Sequence, residues 1–395
     1  MSRKILFLTL YYPPDLCAGS FRAAALSKAL LAHAGEDVQV DVITGQPSRY
    51  ASFSPDAPGI EIRGALTIRR VLLPARGNGF LAQTWLFLCF ALAVLRVVRG
   101  QHYDLVVATS SRLMTACLGS LIAWRKGARL YLDIRDIFVE TLAGVFNSTI
   151  WRPGVWVFGL LERWAICRAD RVNLVSAGFL GYFQPRYPGG HFSLHSNGVD
   201  SAFHDFSPCP VKSEEVAKPL QVLYAGNIGD GQGLHLIVPE LAERLRGRVI
   251  FRIVGGGGRL DALREAVLAR NLDNVELVEP VSRANLLGMY NDADILFLHL
   301  NDFKAFRRVL PSKLFEYAAT GKPIWAGVAG HAAAFISVEL TNVAVFPPCD
   351  ARQAMLGFER LERGCVDRSA FVERYARARI MQAMALDVLD LLEPA

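Results

Sequence analysis

The sequence predicts an α/β protein made of two doubly wound parallel-sheet halves. Three observations point there. The 395 residues exceed what one hydrophobic core usually fills, apolar β-branched runs alternate with helical patterns, and a unit of strand, glycine-bearing turn and helix opens each half. The strand-like runs are Ile5–Leu10, Val38–Thr44, Leu105–Ala108, Leu130–Asp133 and Val172–Val175, then Gln221–Ala225, Val249–Val254, Val275–Leu277 and Ile295–Leu298. Strands separated by helical stretches pair in parallel through crossover helices.

The first half begins with Ile5–Leu10, a Pro13-Pro14 turn, a helix from about Ser20 to Ala34 and a second strand. The second begins near Pro219 with Gln221–Ala225, the loop Gly226–Gly233 and a helix from about His235. Between them Phe206-Ser207-Pro208-Cys209-Pro210 and the Lys/Glu-rich stretch after it read as a linker. The expected domains are therefore 1–205 and 206–368. Ser369–Leu392 has helical spacing with no strand after it, so 369–395 is expected as a C-terminal helical segment packing back toward the first domain.

Hydrophobic residues make up 52% of the chain and charged residues 20%, which suits a surface-bound enzyme better than an integral membrane protein. Met1–Lys4 running into Ile5–Leu10 resembles the start of a signal peptide. However, Tyr11-Tyr12-Pro13-Pro14-Asp15 stands where small residues are needed for cleavage, so a first strand is expected. Seven scattered cysteines without a Cys-x-x-Cys pair read as buried, reduced thiols, and His102, His299 and His331 lack metal-ligand spacing.

Charge is uneven. Residues 1–205 carry 21 Lys and Arg against 14 Asp and Glu, so the whole excess of +6 belongs to the first half. That half is expected to face something anionic, either lipid headgroups or nucleic acid, and no compact recognition module supports nucleic acid. Phe80–Val98 is almost unbroken in apolarity but short for a membrane span, which leaves a buried core helix or an interfacial helix with Arg96 and Arg99 near headgroups. Ile150–Arg168 mixes Trp151, Trp156, Phe158 and Trp164 with Arg152, Arg163 and Arg168, as a membrane-water boundary selects.

The richest motif is Leu310–Ile324. Pro311 suits a helix start, the amides near Ser312 and Lys313 present positive partial charge to a phosphate, and Lys313 adds a full charge. Glu316, one turn further on, is placed to accept hydrogen bonds from ribose hydroxyls; Gly321 ends the helix and Pro323 blocks its return. The alternative is an ordinary capped helix. Loop Gly226–Gly233 holds four glycines between strand and helix, and Gly255-Gly256-Gly257-Gly258 follows another strand, so both are expected at one carboxyl edge, where backbone can approach a diphosphate.

In the first half, Gly19 and Ser20 follow the first strand and offer backbone N–H groups to a phosphate or an acceptor, with Arg22 either anion-pairing or solvated. Asp133-Ile134-Arg135-Asp136 ends a strand, and alternation there puts Asp133 and Arg135 on one face and Asp136 on the other. A structural Arg–Asp pair is the competing reading. His195–Asp200 is taken as a structural turn near the hinge.

Assembled, these residues resemble the bacterial glycosyltransferases of family four. The likeness runs from Tyr12-Pro13-Pro14 through Arg22, Asp133–Asp136, Ser196–Asp200, Tyr224-Ala225-Gly226-Asn227 and Gly255-Gly256-Gly257 to Pro311–Pro323. It is strongest toward O-antigen and capsule N-acetyl-L-fucosamine transferases. The resemblance implies the GT-B architecture, two Rossmann-like domains facing a cleft. It implies transfer of a sugar from a UDP donor to a glycan on undecaprenyl diphosphate, with retention, no metal and no cofactor.

The enzyme would be cytoplasmic and peripheral at the inner face of the membrane. Donor-binding positions carried over are Gly19, Ser20, Gly226, Asn227, Gly229, Gln232, Gly255, Gly256, Val281, Arg308, Ser312, Lys313, Leu314 and Glu316, with the base near Glu279–Ser282. Asp136, Asp133 and Arg135 are the catalytic candidates.

Three positions depart from the family. Arg308 stands where the first of two glutamates is usual, Asn227 and Gln232 replace an Arg and a Lys, and Arg307, Arg308 and Lys313 are expected to restore the charge; the common first-domain histidine has no evident counterpart. A sugar-nucleotide epimerase of the same fold and a non-catalytic membrane-bound assembly subunit are the rival readings.

Overall fold

A computed structural model describes residues 3–47, 56–74, 80–110, 113–145, 152–203 and 219–393. The expected linker at 206–210, Cys209, Ile150 and Trp151 lie outside them. The chain divides into two compact units, residues 1–197 with 377–395, and residues 198–376.

The first unit contains, in order, β1 (Arg3–Leu8), α1 (Ala18–His33), β2 (Val38–Gly45), β3 (Ile60–Arg63), β4 (Leu66–Val71), α2 (Phe80–Val97), β5 (Leu105–Ser110) and α3 (Leu113–Lys126). It continues with β6 (Arg129–Ile134), α4 (Phe138–Val145), α5 (Arg152–Arg168), β7 (Arg171–Leu174), α6 (Leu180–Arg186) and β8 (Phe192–Ser193). Its sheet runs β3-β4-β2-β1-β5-β6-β7-β8, parallel except for the β3–β4 hairpin. Strand order reverses between β1 and β5, so the loop entering α1 opens at the switch point.

The second unit contains β9 (Leu220–Ala225), α7 (Leu234–Arg244), β10 (Val249–Val254), α8 (Leu260–Ala269), β11 (Val275–Val278), α9 (Arg283–Asp292) and β12 (Ile295–His299). Then come α10 (Ser312–Ala319), β13 (Ile324–Gly327), α11 (His331–Glu339), β14 (Val343–Phe346), α12 (Ala351–Arg360) and α13 (Ser369–Arg374). Its order β11-β10-β9-β12-β13-β14 is all parallel and reverses between β9 and β12. The loops leaving those two strands therefore stand at the switch point, where sheets of this kind bind ligands.

The C-terminal helices part company. Helix α13 stays with the second unit, while α14 (Arg377–Leu389) belongs to the first. Met381, Met384, Ala385 and Val388 form one apolar stripe on α14 that joins Ile5, Phe7, Val40 and Leu26 in a core under α1. The opposite sheet face is covered by α2, α3 and α5. Helix α2 packs one face and bares the other: Leu86, Phe87, Phe90 and Val94 are buried, while Leu81, Trp85, Leu88 and Leu92 are exposed.

Two expectations need correction. Strand β6 stops at Ile134, so Arg135 and Asp136 lie in the following loop and the strand alternation proposed for them does not reach that far. Of the described cysteines only Cys117 is buried; Cys167 is exposed and the others are intermediate, because most sit on loops and helix flanks rather than in strands.

Candidate active site

Helix α10 opens the site in the second unit. Pro311 sits at its N-cap with extended backbone (φ −70°, ψ 136°), one place earlier than a first-turn proline, and Ser312 starts the helix. Gly321 ends it with φ +71°, and a side chain there would meet the Val366 carbonyl at 2.6 Å. Leu314, Phe315, Tyr317 and Ala318 are buried in the core, which fixes the helix's roll and leaves Ser312, Lys313 and Glu316 partly accessible. Leu314 contributes no side chain to a ligand, and its N–H already bonds the Pro311 carbonyl at 3.1 Å.

Lys313 reaches across to β9. Its Nζ donates to the Tyr224 hydroxyl at 2.9 Å and lies 4.5 Å from the centre of that ring. Tyr224 in turn donates to the Asn227 carbonyl at 2.6 Å. Gly226 makes room: it has φ +142°, and a Cβ there would stand 2.2 Å from Lys313 Nζ. The position needs glycine for both reasons.

The other glycines pack loop on loop. A Cβ on Gly255 (φ +144°) would lie 1.8 Å from the Gly226 carbonyl oxygen, and one on Gly257 would lie 2.4 Å from that of Ile228. Gly226 N–H bonds Val254 O at 2.8 Å and Ile228 N–H bonds Gly256 O at 2.9 Å, so the two loops form one backbone surface. Asn227 and Gln232, which replace cationic residues of the resembled family, bond each other at 2.8 Å, and Gln232 also accepts from Gly229 N–H at 3.2 Å. Here they hold the loop's shape.

His299, which the sequence left isolated, ties this loop to the end of β12. It is fully buried, bonds Gln232 O through Nδ1 at 2.6 Å, and accepts the Cys349 N–H at Nε2 at 3.0 Å. Burial pushes its pKa down to about 4, against the opposing bond to Gln232, so the ring is neutral with the proton on Nδ1.

Glu316 accepts from the buried Tyr290 hydroxyl at 3.2 Å, which orients its carboxylate. Arg307 pairs with Asp302 at 2.9 Å, and Arg308 ends the same short helical turn, Lys304–Arg308, before α10. Val281 lies in the loop after β11, against the core, and Ser282 caps α9 by accepting from Asn285 N–H at 3.3 Å. Gly226, Asn227, Gly229, Gln232, Gly255, Gly256, Val281, Arg308, Ser312, Lys313 and Glu316 thus all follow carboxyl ends of strands in one sheet.

The first unit collects the remaining candidates. Asp133 is buried and accepts from Arg22 Nε and Nη2, both at 2.9 Å, from Asn173 at 2.7 Å and from Thr109 at 3.2 Å. Burial alone would raise its carboxyl, but Arg22, Arg135 and Asn173 hold it below the usual carboxylate range. Arg22 also bonds the carbonyls of His195 and Ser196 at 2.7 Å, so the pair fixes the turn that ends the first unit. Arg22 is neither solvated nor open to an anion.

Arg135 is different. Its Nε is buried without a hydrogen-bond partner among the described residues, and its guanidinium lies 2.4 Å from where a side chain on Gly19 would start. Gly19 therefore brings this cation against the opening turn of α1. Ser20 is fully buried, backbone included, and its Oγ has no hydrogen-bond partner among the described residues.

Asp136 reaches solvent, yet enough protein surrounds it that desolvation raises its carboxyl to about 6, with Arg135 opposing. It lines a small cavity with Glu162, Ser110, Phe138 and Phe183. Glu162, which the sequence did not single out, is buried and accepts from the Tyr182 and Tyr187 hydroxyls, each at 2.9 Å. A lone glutamate in an aromatic helix carries no signal of tyrosines contributed from another element. Tyr224 was legible only as part of the Tyr224–Asn227 motif.

Residues 209–378 match the family described as glycosyl transferases group 1. The chain is 38% identical over 228 residues to WcaI of Escherichia coli (strain K12), described as a colanic acid biosynthesis glycosyl transferase, covering 55% of this chain and 56% of that protein. The chain thus spans little more than half the length of that curated relative.

Among solved structures it is similar to sucrose-phosphate synthase from Thermosynechococcus elongatus (TM-score 0.69, 16% identity, 99% of this chain and 98% of that chain). It is also similar to WaaG, a glycosyltransferase involved in lipopolysaccharide biosynthesis (TM-score 0.62, 17% identity, 98% and 96%), and to Anabaena HepE in complex with UDP (TM-score 0.57, 17% identity, 98% and 96%). At such identities these structures speak for the fold. The chain has the GT-B fold, and its residues 209–378 match the model of the group 1 glycosyl transferases.

Proposed function

We propose that the protein transfers a sugar from a UDP donor to a lipid-linked glycan in the assembly of a bacterial surface polysaccharide, without a metal. The observation that carries this reading is the seat of Lys313. Its ammonium is held by Tyr224 over a glycine-lined backbone surface, beside the start of α10. A cation and a helix start aimed at one place stabilise the charge that a departing diphosphate develops. Ser312 adds a hydroxyl, the Gly226–Gly233 and Gly255–Gly256 backbones allow close approach, and Glu316 takes the ribose hydroxyls.

In the proposed reaction the bond from the anomeric carbon to the diphosphate breaks and one to an acceptor hydroxyl forms, with retention. Asp136 takes the hydroxyl proton; a carboxyl poised near 6 suits that task. Arg135, whose Nε is buried with no hydrogen-bond partner among the described residues, lies beside Gly19 and keeps positive charge near Asp136 within the first unit. Asp133 acts only by positioning, through Arg22.

The sugar is proposed to be N-acetyl-L-fucosamine or another N-acetylated hexosamine, and the acceptor a glycan on undecaprenyl diphosphate met at the inner face of the cytoplasmic membrane. The support is the sequence resemblance and the similarity to proteins described as acting in colanic acid and lipopolysaccharide biosynthesis.

A thermal-shift panel of nucleoside diphosphates, followed by UDP-release assays with candidate UDP-sugars and a lipid-linked acceptor, tests the reading. UDP should raise the melting temperature more than ADP or GDP, and release should require acceptor. Conversion of the sugar without acceptor would establish the epimerase instead, and no nucleotide response at all would leave the assembly subunit.

A further inference from the structure

The carbonyls of Asp230, Gly231 and Gln232, consecutive in the loop after β9, are all tied to the end of β12. Asn301 Nδ2 donates to Asp230 O at 3.0 Å, Asn301 N–H to Gly231 O at 2.8 Å, and His299 Nδ1 to Gln232 O at 2.6 Å. A planar trans peptide points its C=O and the N–H that follows in opposite directions, so the amides of Gly231, Gln232 and Gly233 are turned away from β12. Those of Gln232 and Gly233 share the Gly229 carbonyl at 3.2 and 3.3 Å, and that of Gly231 bonds nothing among the described residues. Helix α7 follows at once, with no side-chain cap at Gly233 and no acid in its first turn.

Both braces are oriented from one place, Cys349 in the loop after β14. Its N–H donates to His299 Nε2 at 3.0 Å, which leaves the ring proton on Nδ1 for Gln232 O. Its Sγ approaches Asn301 Oδ1 at 3.5 Å, and that oxygen also accepts the Asp302 N–H at 2.9 Å, so the amide turns Nδ2 to Asp230 O. Cys349 has φ +60°, a conformation that residues with a Cβ rarely take, and these contacts hold it there. The His299 ring lies in a slot of its own: it stacks on Phe297 with the planes 8° apart, and a side chain on Gly327 would start 2.2 Å from its Cδ2.

Residues 226–233 contain no lysine or arginine, and their single charge, Asp230, is paired with Arg259 at 2.6 Å. What this loop offers an anion is N–H groups, and their direction follows from where the carbonyls are tied. We infer that His299 and Asn301 are positioning residues for the donor diphosphate: by drawing three carbonyls to β12 they turn the loop's amides toward the ligand, with Cys349 fixing the orientation of both. The inference rests on the proposed UDP donor and adds to it residues that touch no substrate.

The test measures equilibrium binding of UDP, uridine and inorganic pyrophosphate to full-length wild type and to three variants, with urea unfolding to establish that each is folded. His299→Phe keeps the stacked ring and loses both bonds, so UDP and pyrophosphate should bind about tenfold more weakly. Asn301→Leu keeps the size of the side chain and loses the bond to Asp230 O; about fivefold is expected. Uridine, which lacks the diphosphate, should change by less than about twofold in both. His299→Asn retains a donor near the place of Nδ1 and should bind UDP within about twofold of wild type. Asn301 is partly exposed, so Asn301→Leu carries the test alone if His299→Phe does not fold.

Unchanged UDP affinity in folded Asn301→Leu overturns the inference and leaves the transferase reading in place. Equal weakening of UDP and uridine also overturns it, because the substitutions would then have loosened the whole domain. Pyrophosphate binding that both variants lose, with no gain in wild-type affinity from the uridine moiety, keeps the two positioning residues and removes the UDP donor.

Discussion

The Lys313 ammonium lies 2.9 Å from the Tyr224 hydroxyl and fills the space that any side chain at Gly226 would need. One residue on a helix start, one in a strand and one in a loop are thereby coupled, and the coupling makes quantitative demands.

Gly226→Ala should move Lys313 and strain a backbone at φ +142°. Isothermal titration should show UDP affinity falling about as far as in Lys313→Ala, and the double variant should be no worse than either single one. Additive losses would mean that the glycine and the lysine act separately.

Tyr224→Phe removes the hydroxyl that accepts from Lys313 and donates to Asn227 O. The ammonium would lose one hydrogen bond and keep its charge, so UDP should bind about tenfold more weakly, the worth of one charge-assisted bond. A loss as large as that of Lys313→Ala would show the phenol, not the ammonium, to be the main contact.

Asp136 sets a pH dependence. Its folded-state carboxyl, raised to about 6, is neutral at low pH, so the transfer rate should climb as pH rises through about 6. Stability should run the other way: the folded state holds this proton more tightly than the unfolded chain, so the carboxyl's contribution is lost as pH rises toward 6 and above. Asp136→Asn should therefore melt higher than wild type at pH 7.5, with the gap closing near pH 4, while turnover falls. Calorimetry across that range checks the first statement and a rate profile the second.

The Arg22–Asp133 pair is buried and bidentate, so Arg22→Met should leave an uncompensated carboxylate and cost about 3–5 kcal/mol in urea unfolding at neutral pH. A cost under about 1 kcal/mol would show that water reaches the pair.

Much of the fold could be read from the sequence because its buried parallel strands are written as apolar runs: Val249–Val254 was expected with those ends, and the strands at Val38 and Gln221 within one residue. Hairpin β3–β4 and strands β13 and β14 were not read. Leu66–Val71 contains Thr67, Arg69 and Arg70, which interrupt its apolar run.

The glycine loops and the start of α10 were legible because glycine and proline leave conformational marks. Partners contributed by distant segments were not: nothing near Asp133 announces Arg22, and nothing near Glu162 announces Tyr182 and Tyr187.

The most direct measurement is calorimetric titration of UDP into wild type and Lys313→Ala in the presence of EDTA. The account predicts wild-type binding that survives the chelator and a loss of about 10- to 100-fold in the variant, as expected for a charged hydrogen-bonding partner of the diphosphate. Equal affinities in the two proteins, or wild-type binding that EDTA abolishes, would contradict it.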